Sequence, residues 1–237
     1  MNQELTIMPS NTSSTDALAL FDNPATRCPV ALLLDTSGSM SGAPIAELNA
    51  GFRCFVREVI GDDCARFAVE LAVLTFGGSV TVEQPFTSLA TAELDEARMP
   101  TFAATGGTPM GEAMRQAFGM LEAQKRFYRS RGVPYYQPWM VLLTDGAPTD
   151  NVAEASRIVH QLTAERKLVF LGVGVGNGVD MNALAGICPP NRPPKRLAGL
   201  RFVEFFQWLS QSMAAVSRSA SADARIALPT TDGWDAV

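Results

Sequence analysis

Five oxygen-bearing side chains stand out in this sequence by their type and spacing. Asp35, Ser37 and Ser39 alternate in LLLDTSGSM, where an apolar run gives way to an acid and hydroxyls. Thr108 follows two glycines in GGTPMG, and Asp145 ends a second apolar run in LLTDG. Together they offer two carboxylates and three hydroxyls. Oxygen-only sets suit Mg²⁺, Mn²⁺ or Ca²⁺, whereas zinc prefers nitrogen and sulfur. A turn leaving a strand can aim residues i, i+2 and i+4 at one point, so the alternation has a purpose. Gly38 is expected to permit the bend, and Gly106-Gly107 the close approach of the backbone that carries Thr108. Taken singly, each segment also reads as an ordinary turn or cap, and Thr108-Pro109 fits an N-cap followed by a first-turn proline.

A second chemistry competes with metal capture. An acid at a strand end beside Mg²⁺ is how aspartyl-phosphate enzymes are laid out, so Asp35 could be the nucleophile of a metal-dependent hydrolase or phosphotransferase. Position 37 is serine, however, so the paired carboxylate of a general acid/base is missing, and no lysine is placed to neutralise a phosphoryl group. Other catalytic layouts fail sooner. His160 is the only histidine and lies beside the apolar face of a helix, which removes Ser-His-Asp machinery. GVGVGNG at 172–178 has the wrong spacing for a dinucleotide loop and reads as a strand packed closely on a helix. GGTPMGEA lacks the lysine of a phosphate-binding loop.

Composition narrows the classes further. A formal charge of −5 argues against a nucleic-acid partner, which needs a basic face. No apolar run approaches the ~18 residues of a membrane span, and the first residues, MNQELTIMPS, lack the pattern of a secretory signal. Cys28, Cys54, Cys64 and Cys188 show no metal-binding spacing. Reduced, mostly buried thiols and a cytoplasmic location are the expectation.

These five residues need a scaffold, and the flanking pattern supplies one. The unbroken apolar run at 30–34 reads as a strand covered on both faces, and the largely apolar stretches at 67–76, 139–143 and 167–175 read as further strands. Helical spacing recurs from Pro44 to about Ile60, from Pro109 to about Arg131, after Asn151 as a cap, and over 203–218. Ser79–Gln84 alternates like an edge strand, paired antiparallel through Gly77-Gly78. Short helical pieces are expected at Leu94–Met99 and Asp180–Ile187, and a short strand near Leu200–Phe202. The expected fold is α/β, a mostly parallel sheet with one antiparallel edge strand and helices on both faces. Its expected limits are an N-terminal arm at 1–27, one domain at 28–218 and a polar tail at 219–237. In such sheets ligands sit beyond the carboxyl ends of the strands, where Asp35 and Asp145 both fall.

Two surface features remain. Arg126, Arg129 and Arg131 interleave with Phe127, Tyr128, Tyr135 and Tyr136, which reads as a solvated helix end or as a surface for an acidic or phosphorylated partner. Trp234 stands alone in LPTTDGWDAV, as a loose end or as an anchor on a neighbour, with Thr230 and Thr231 as candidate phosphorylation positions.

DTSGS, the threonine of GGTPMG and the aspartate of LLTDG resemble the metal-ion-dependent adhesion site (MIDAS) of von Willebrand factor A domains, over about 29–218. The resemblance implies a Rossmann-like domain in which Ser37, Ser39 and Thr108 reach a divalent ion directly, with Asp35 and Asp145 direct or through water. Mg²⁺ is the expected ion, with Mn²⁺ or Ca²⁺ as alternatives. LLLDTSGSM-SG-APIAELNAGF with LLTDGAPTD resembles more narrowly the bacterial TerY-type proteins of tellurium-resistance and stress operons. That branch implies a non-enzymatic adaptor beside a Ser/Thr kinase and a PP2C-type phosphatase, holding a partner's Glu or Asp through the metal.

Overall fold

Strand β1 (Cys28–Asp35) is buried along its whole length, which explains why its sequence is apolar without alternation. A computed structural model describes the chain at residues 23–90, 99–176, 178–221 and 226–236. β1 pairs in parallel with β2 (Val69–Gly77) on one side and β4 (Trp139–Thr144) on the other. β2 carries the antiparallel edge strand β3 (Ser79–Ser88), while β4 leads in parallel to β5 (Val169–Val175) and β6 (Lys195–Leu197). The six strands lie in the order β3-β2-β1-β4-β5-β6. The direction of winding reverses between β1 and β4, so a crevice opens beyond their carboxyl ends.

Alternate strand residues feed two helical layers. Val30, Leu32 and Leu34 face α1 (Ala43–Gly61) and α6 (Phe202–Ser217). Ala31 and Leu33 face α3 (Met110–Arg131), α4 (Ala153–Ala164) and α5 (Met181–Ile187). A single turn, α2 (Ala65–Ala68), precedes β2. His160 Nε2 meets the Cys188 carbonyl at 2.9 Å, which ties α4 to the end of α5. The glycines of β5 make room for α5. A Cβ at Gly172 would come within 2.5 Å of Cys188 Sγ, and one at Gly174 within 2.6 Å of Met181 Sδ. All four cysteines are free thiols. No helix among the described residues is long and apolar enough to cross a membrane.

Several expectations shift. Residues 65–68 form α2, so β2 starts at Val69 instead of Phe67. β3 runs on past Gln84 to Ser88, with a register irregularity opposite β2 near Pro85, which has no N–H to donate. The short strand lies at Lys195–Leu197, and Leu200–Phe202 turns into α6. Leu94–Met99 falls almost wholly outside the described residues, as do residues 1–22 of the arm. The end of the arm is fixed: Arg27 is buried with its Nε 3.2 Å from Glu70 Oε1.

The tail also departs from expectation. Trp234 is 1% exposed and packs on Phe205 at 4.9 Å and Trp208 at 5.3 Å, so it anchors within its own chain. Flanking backbone completes the edge of β6: Ala198 N–H donates to Trp234 O and Ala236 N–H to Arg196 O. The aromatics of the arginine-rich stretch are engaged too. Tyr128 and Tyr136 are buried, Arg131 lies over the Phe127 ring, and Arg129 Nε donates to Tyr135 Oη.

Candidate functional site

Register sets the site. Leu34 of β1 pairs with Leu143 of β4, so Asp35 and Thr144 follow side by side and Asp145 comes one step later. Asp35 is 1% exposed. Its Oδ1 accepts the Ser37 N–H at 2.8 Å and its Oδ2 accepts the Thr144 hydroxyl at 2.6 Å. Burial pushes the Asp35 carboxyl above its ordinary pKa, the bonds from Thr144 and Ser37 oppose that rise, and the charge of Asp145 adds to it. The structure therefore fixes Asp35 from two sides.

Outward of Asp35 lies a cluster of oxygens. The Ser39 hydroxyl donates to Asp145 Oδ1 at 2.6 Å, Ser37 Oγ lies 3.0 Å from Ser39 Oγ, and Ser37 Oγ lies 3.5 Å from Asp145 Oδ1. Ser37 is buried, Ser39 exposed and Asp145 between the two. A short 3-10 turn over Gly38–Met40 brings both serines to the same side.

Thr108 arrives on a separate loop that is stitched to the first. Gly38 N–H donates to Gly106 O, Thr105 N–H to Thr36 O, and Gly78 N–H to Gly107 O. Gly106 has φ 65, and a Cβ there would come within 2.4 Å of Gly78 Cα, so that position excludes a side chain. Gly38 does not adopt a positive φ, and its part is the N–H bond to Gly106, not the bend expected of it. A Cβ built on Gly146 would stand 3.6 Å from Thr108 Oγ1, which places that hydroxyl against the Asp145–Gly146 turn. Thr108 is 5% exposed, and no hydrogen bond engages its hydroxyl among the described residues. Thr108 does not cap α3. Asp150 takes that role, its carboxylate accepting the Gly111 and Glu112 N–H groups at 2.8 and 2.7 Å.

All five expected residues thus border one crevice, four of them linked through hydrogen bonds and Thr108 beside them. Sequence reasoning missed Thr144, Thr149 and Asp150. Thr149 steadies the loop, its Oγ1 accepting the Thr108 N–H at 3.1 Å. The donor set fits a hard divalent ion. Among the described residues no group of three or more His, Cys, Asp or Glu is placed to hold a metal, so hydroxyls dominate the set.

Comparison with known proteins gives a consistent picture. The family profile described as von Willebrand factor type A domain matches residues 30–202, well over half of the chain. Among solved structures, proximal thread matrix protein 1 from the mussel byssus aligns with 16% identity and TM-score 0.57, over 81% of this chain and 49% of that one. The same byssus protein is known with a zinc-occupied MIDAS motif, at 18% identity, TM-score 0.53, 82% of this chain and 46% of that one. The pilus adhesin SpaC from Lactobacillus rhamnosus GG aligns at 14% identity and TM-score 0.63, over 80% of this chain and 30% of that one. Manganese-loaded TRAP protein of Plasmodium vivax aligns at 20% identity and TM-score 0.50, over 76% and 73%. The chain spans about half the length of the byssus protein. No curated protein sequence matches it. At these identities the structural likeness concerns the fold.

Proposed function

This chain belongs to the von Willebrand factor type A domain family, and on that premise we propose that it is a non-enzymatic module that binds a protein partner through a divalent cation. One observation carries the reading: the Ser37 and Ser39 hydroxyls gather on Asp145 with Thr108 beside them, while Asp35 is held behind by Ser37 and Thr144. Ser37, Ser39 and Thr108 would hold the ion directly, and Asp35 and Asp145 directly or through water. With the two acids held back by water, three neutral hydroxyls would leave a bound dication undercompensated and electrophilic. A Glu or Asp of the partner completes its shell, in a charge-assisted contact of the strong kind. Mg²⁺ is the proposed ion. The byssus protein with its zinc-occupied MIDAS motif and the manganese-loaded TRAP protein support a divalent ion as the bound group.

The narrower reading is an adaptor of the TerY type, in a bacterial cytoplasmic stress or tellurium-resistance complex with a Ser/Thr kinase and a PP2C-type phosphatase. The wording of LLLDTSGSM and LLTDGAPTD supports it. Serine at position 37 in place of a second carboxylate supports the non-enzymatic assignment. The test is affinity capture from native lysate with and without EDTA, comparing wild type with Ser37→Ala/Ser39→Ala. Partners should be lost in EDTA and with the double variant. Retention in both would reject the metal-bridged mode, and Mg²⁺-dependent phosphatase or ATPase turnover abolished by Asp35→Asn would reject the non-enzymatic one.

A further inference from the structure

We infer that the chain has a second binding site, for a small organic oxyanion with an apolar body, in a cavity at the end of the sheet remote from Asp35 and Asp145. The cavity holds about 500 Å³, within the ~300–1,000 Å³ of small-molecule pockets. It lies where β4 and β5 begin, lined there by Trp139 and Val169 and bordered by Val216 of α6 with Ile226 and Leu228 of the tail. Along β4, Trp139 stands roughly 17 Å from Thr144 at ~3.3 Å per residue, so the two sites share no residue.

The charge along the lining is one-sided. Arg166 and Arg192 line the cavity, and no carboxylate does so among the described residues. Neither guanidinium has a hydrogen-bond or ion-pair partner among those residues. Glu165, the nearest acid in sequence, is engaged with Lys167 at 2.7 Å and with Gln161. Both arginines are exposed, so they stand at the rim of the cavity, and partial desolvation of the Arg192 head group lowers its pKa.

The backbone adds a second, independent observation. Arg166 is the sole non-glycine residue with positive φ (54°) among the described residues. It ends α4 with Lys167 N–H donating to Leu162 O and its own N–H to Thr163 O. Glycine is the low-cost residue in that left-handed position, because any Cβ there is crowded. Residues held in sparsely populated backbone regions cluster at ligand sites, and Arg166 borders the cavity.

The ligand class follows from the lining. Guanidinium forks match the planar oxygens of carboxylate or the oxygens of phosphate. Gln137 and Asn191 add neutral donors, and Trp139, Leu168 and Val169 offer apolar contact to a ring or short chain.

The test titrates the full chain, in EDTA, with phenyl phosphate, phenylacetate, inorganic phosphate and benzyl alcohol, read by amide and indole NMR shifts. At least one organic anion should saturably shift the Trp139 indole and Val169 amide. Bare phosphate and the neutral alcohol should bind on the order of tenfold more weakly or worse, since each lacks one half of the recognition. Arg192→Gln should weaken the organic anion by on the order of tenfold. Arg166→Gly should do the same with an unchanged or higher Tm, which separates loss of the cation from loss of the fold. The stronger of the two organic anions identifies the oxyanion. No saturable shift with either, equal affinity for bare phosphate, or unchanged affinity in both arginine variants would overturn the inference. Because the titration contains EDTA, its outcome is independent of the metal-bridged reading.

Discussion

Asp35 and Asp145 are the same side chain put to different uses, because one is sealed beneath the site and the other borders solvent. Thr144 is what makes the sealed position tolerable, since its hydroxyl satisfies Asp35 Oδ2 where water cannot reach. Thr144→Val keeps the shape and removes the donor. It should cost about 1–3 kcal/mol in urea unfolding, the penalty of an unpaired buried acceptor, and Thr144→Ser should restore most of it. An unchanged midpoint for Thr144→Val would show that Asp35 does not depend on this bond. The convergence of Asp35, Ser37 and Ser39 at one strand exit was legible in the sequence because alternation after an apolar run is a local signal. Thr144 and Asp150 were not, because each acts on a segment far away in the chain. A threonine at the end of a buried run looks like any β-branched strand residue until its neighbour in the next strand is known.

The elements themselves were readable wherever burial on both faces left long apolar runs, as in β1, β4 and β5. Where hydrogen bonding to a distant segment decides, hydropathy misleads. Lys195–Leu197 is a strand because β5 and the tail flank it, whereas the more apolar Leu200–Phe202 begins a helix. The joint between α1 and α2 is a similar case. Asp62 Oδ1 accepts the Ala65 and Cys64 N–H groups at 2.8 and 3.0 Å, and Arg218 at the end of α6 meets its Oδ2 at 2.6 Å. Desolvation alone would raise this carboxyl, but the bonds from Ala65, Arg218 and Cys64 hold it below its ordinary pKa. Its folded pKa is below the unfolded one, so its contribution is present above the ordinary value of 3.8 and is lost as pH falls beneath it. Asp62→Ala should therefore cost about 1 kcal/mol at pH 7, chiefly through the lost cap, with the exposed Arg218 pair adding little. Denaturant titrations should show the gap between variant and wild type closing in acid. A gap that is constant with pH would assign the effect to packing.

The molecule as a whole is a sheet between two helical layers whose last residues return to lock the α1–α6 layer. Trp234 packs into the aromatic cluster with Phe205 and Trp208, and Trp208 Nε1 donates to Pro229 O at 2.9 Å. Nothing in LPTTDGWDAV reveals this, because a lone tryptophan in a polar stretch has no periodicity to place it. Trp234→Ala should lower stability by about 3–5 kcal/mol, as truncation of a buried aromatic does, without altering the oxygen cluster beyond β1 and β4. Unchanged stability would mean the tail packs only loosely on the domain. The domain therefore presents its candidate metal ligands from a rigid base, and the claim that matters most is that these oxygens gather around one cation. An EPR titration with Mn²⁺ examines that claim directly. Wild type should take up one equivalent, displaceable by Mg²⁺, and Ser37→Ala/Ser39→Ala, folded by circular dichroism, should lose it. A wild type that takes up no Mn²⁺, or a double variant that takes it up equally well, would contradict the account.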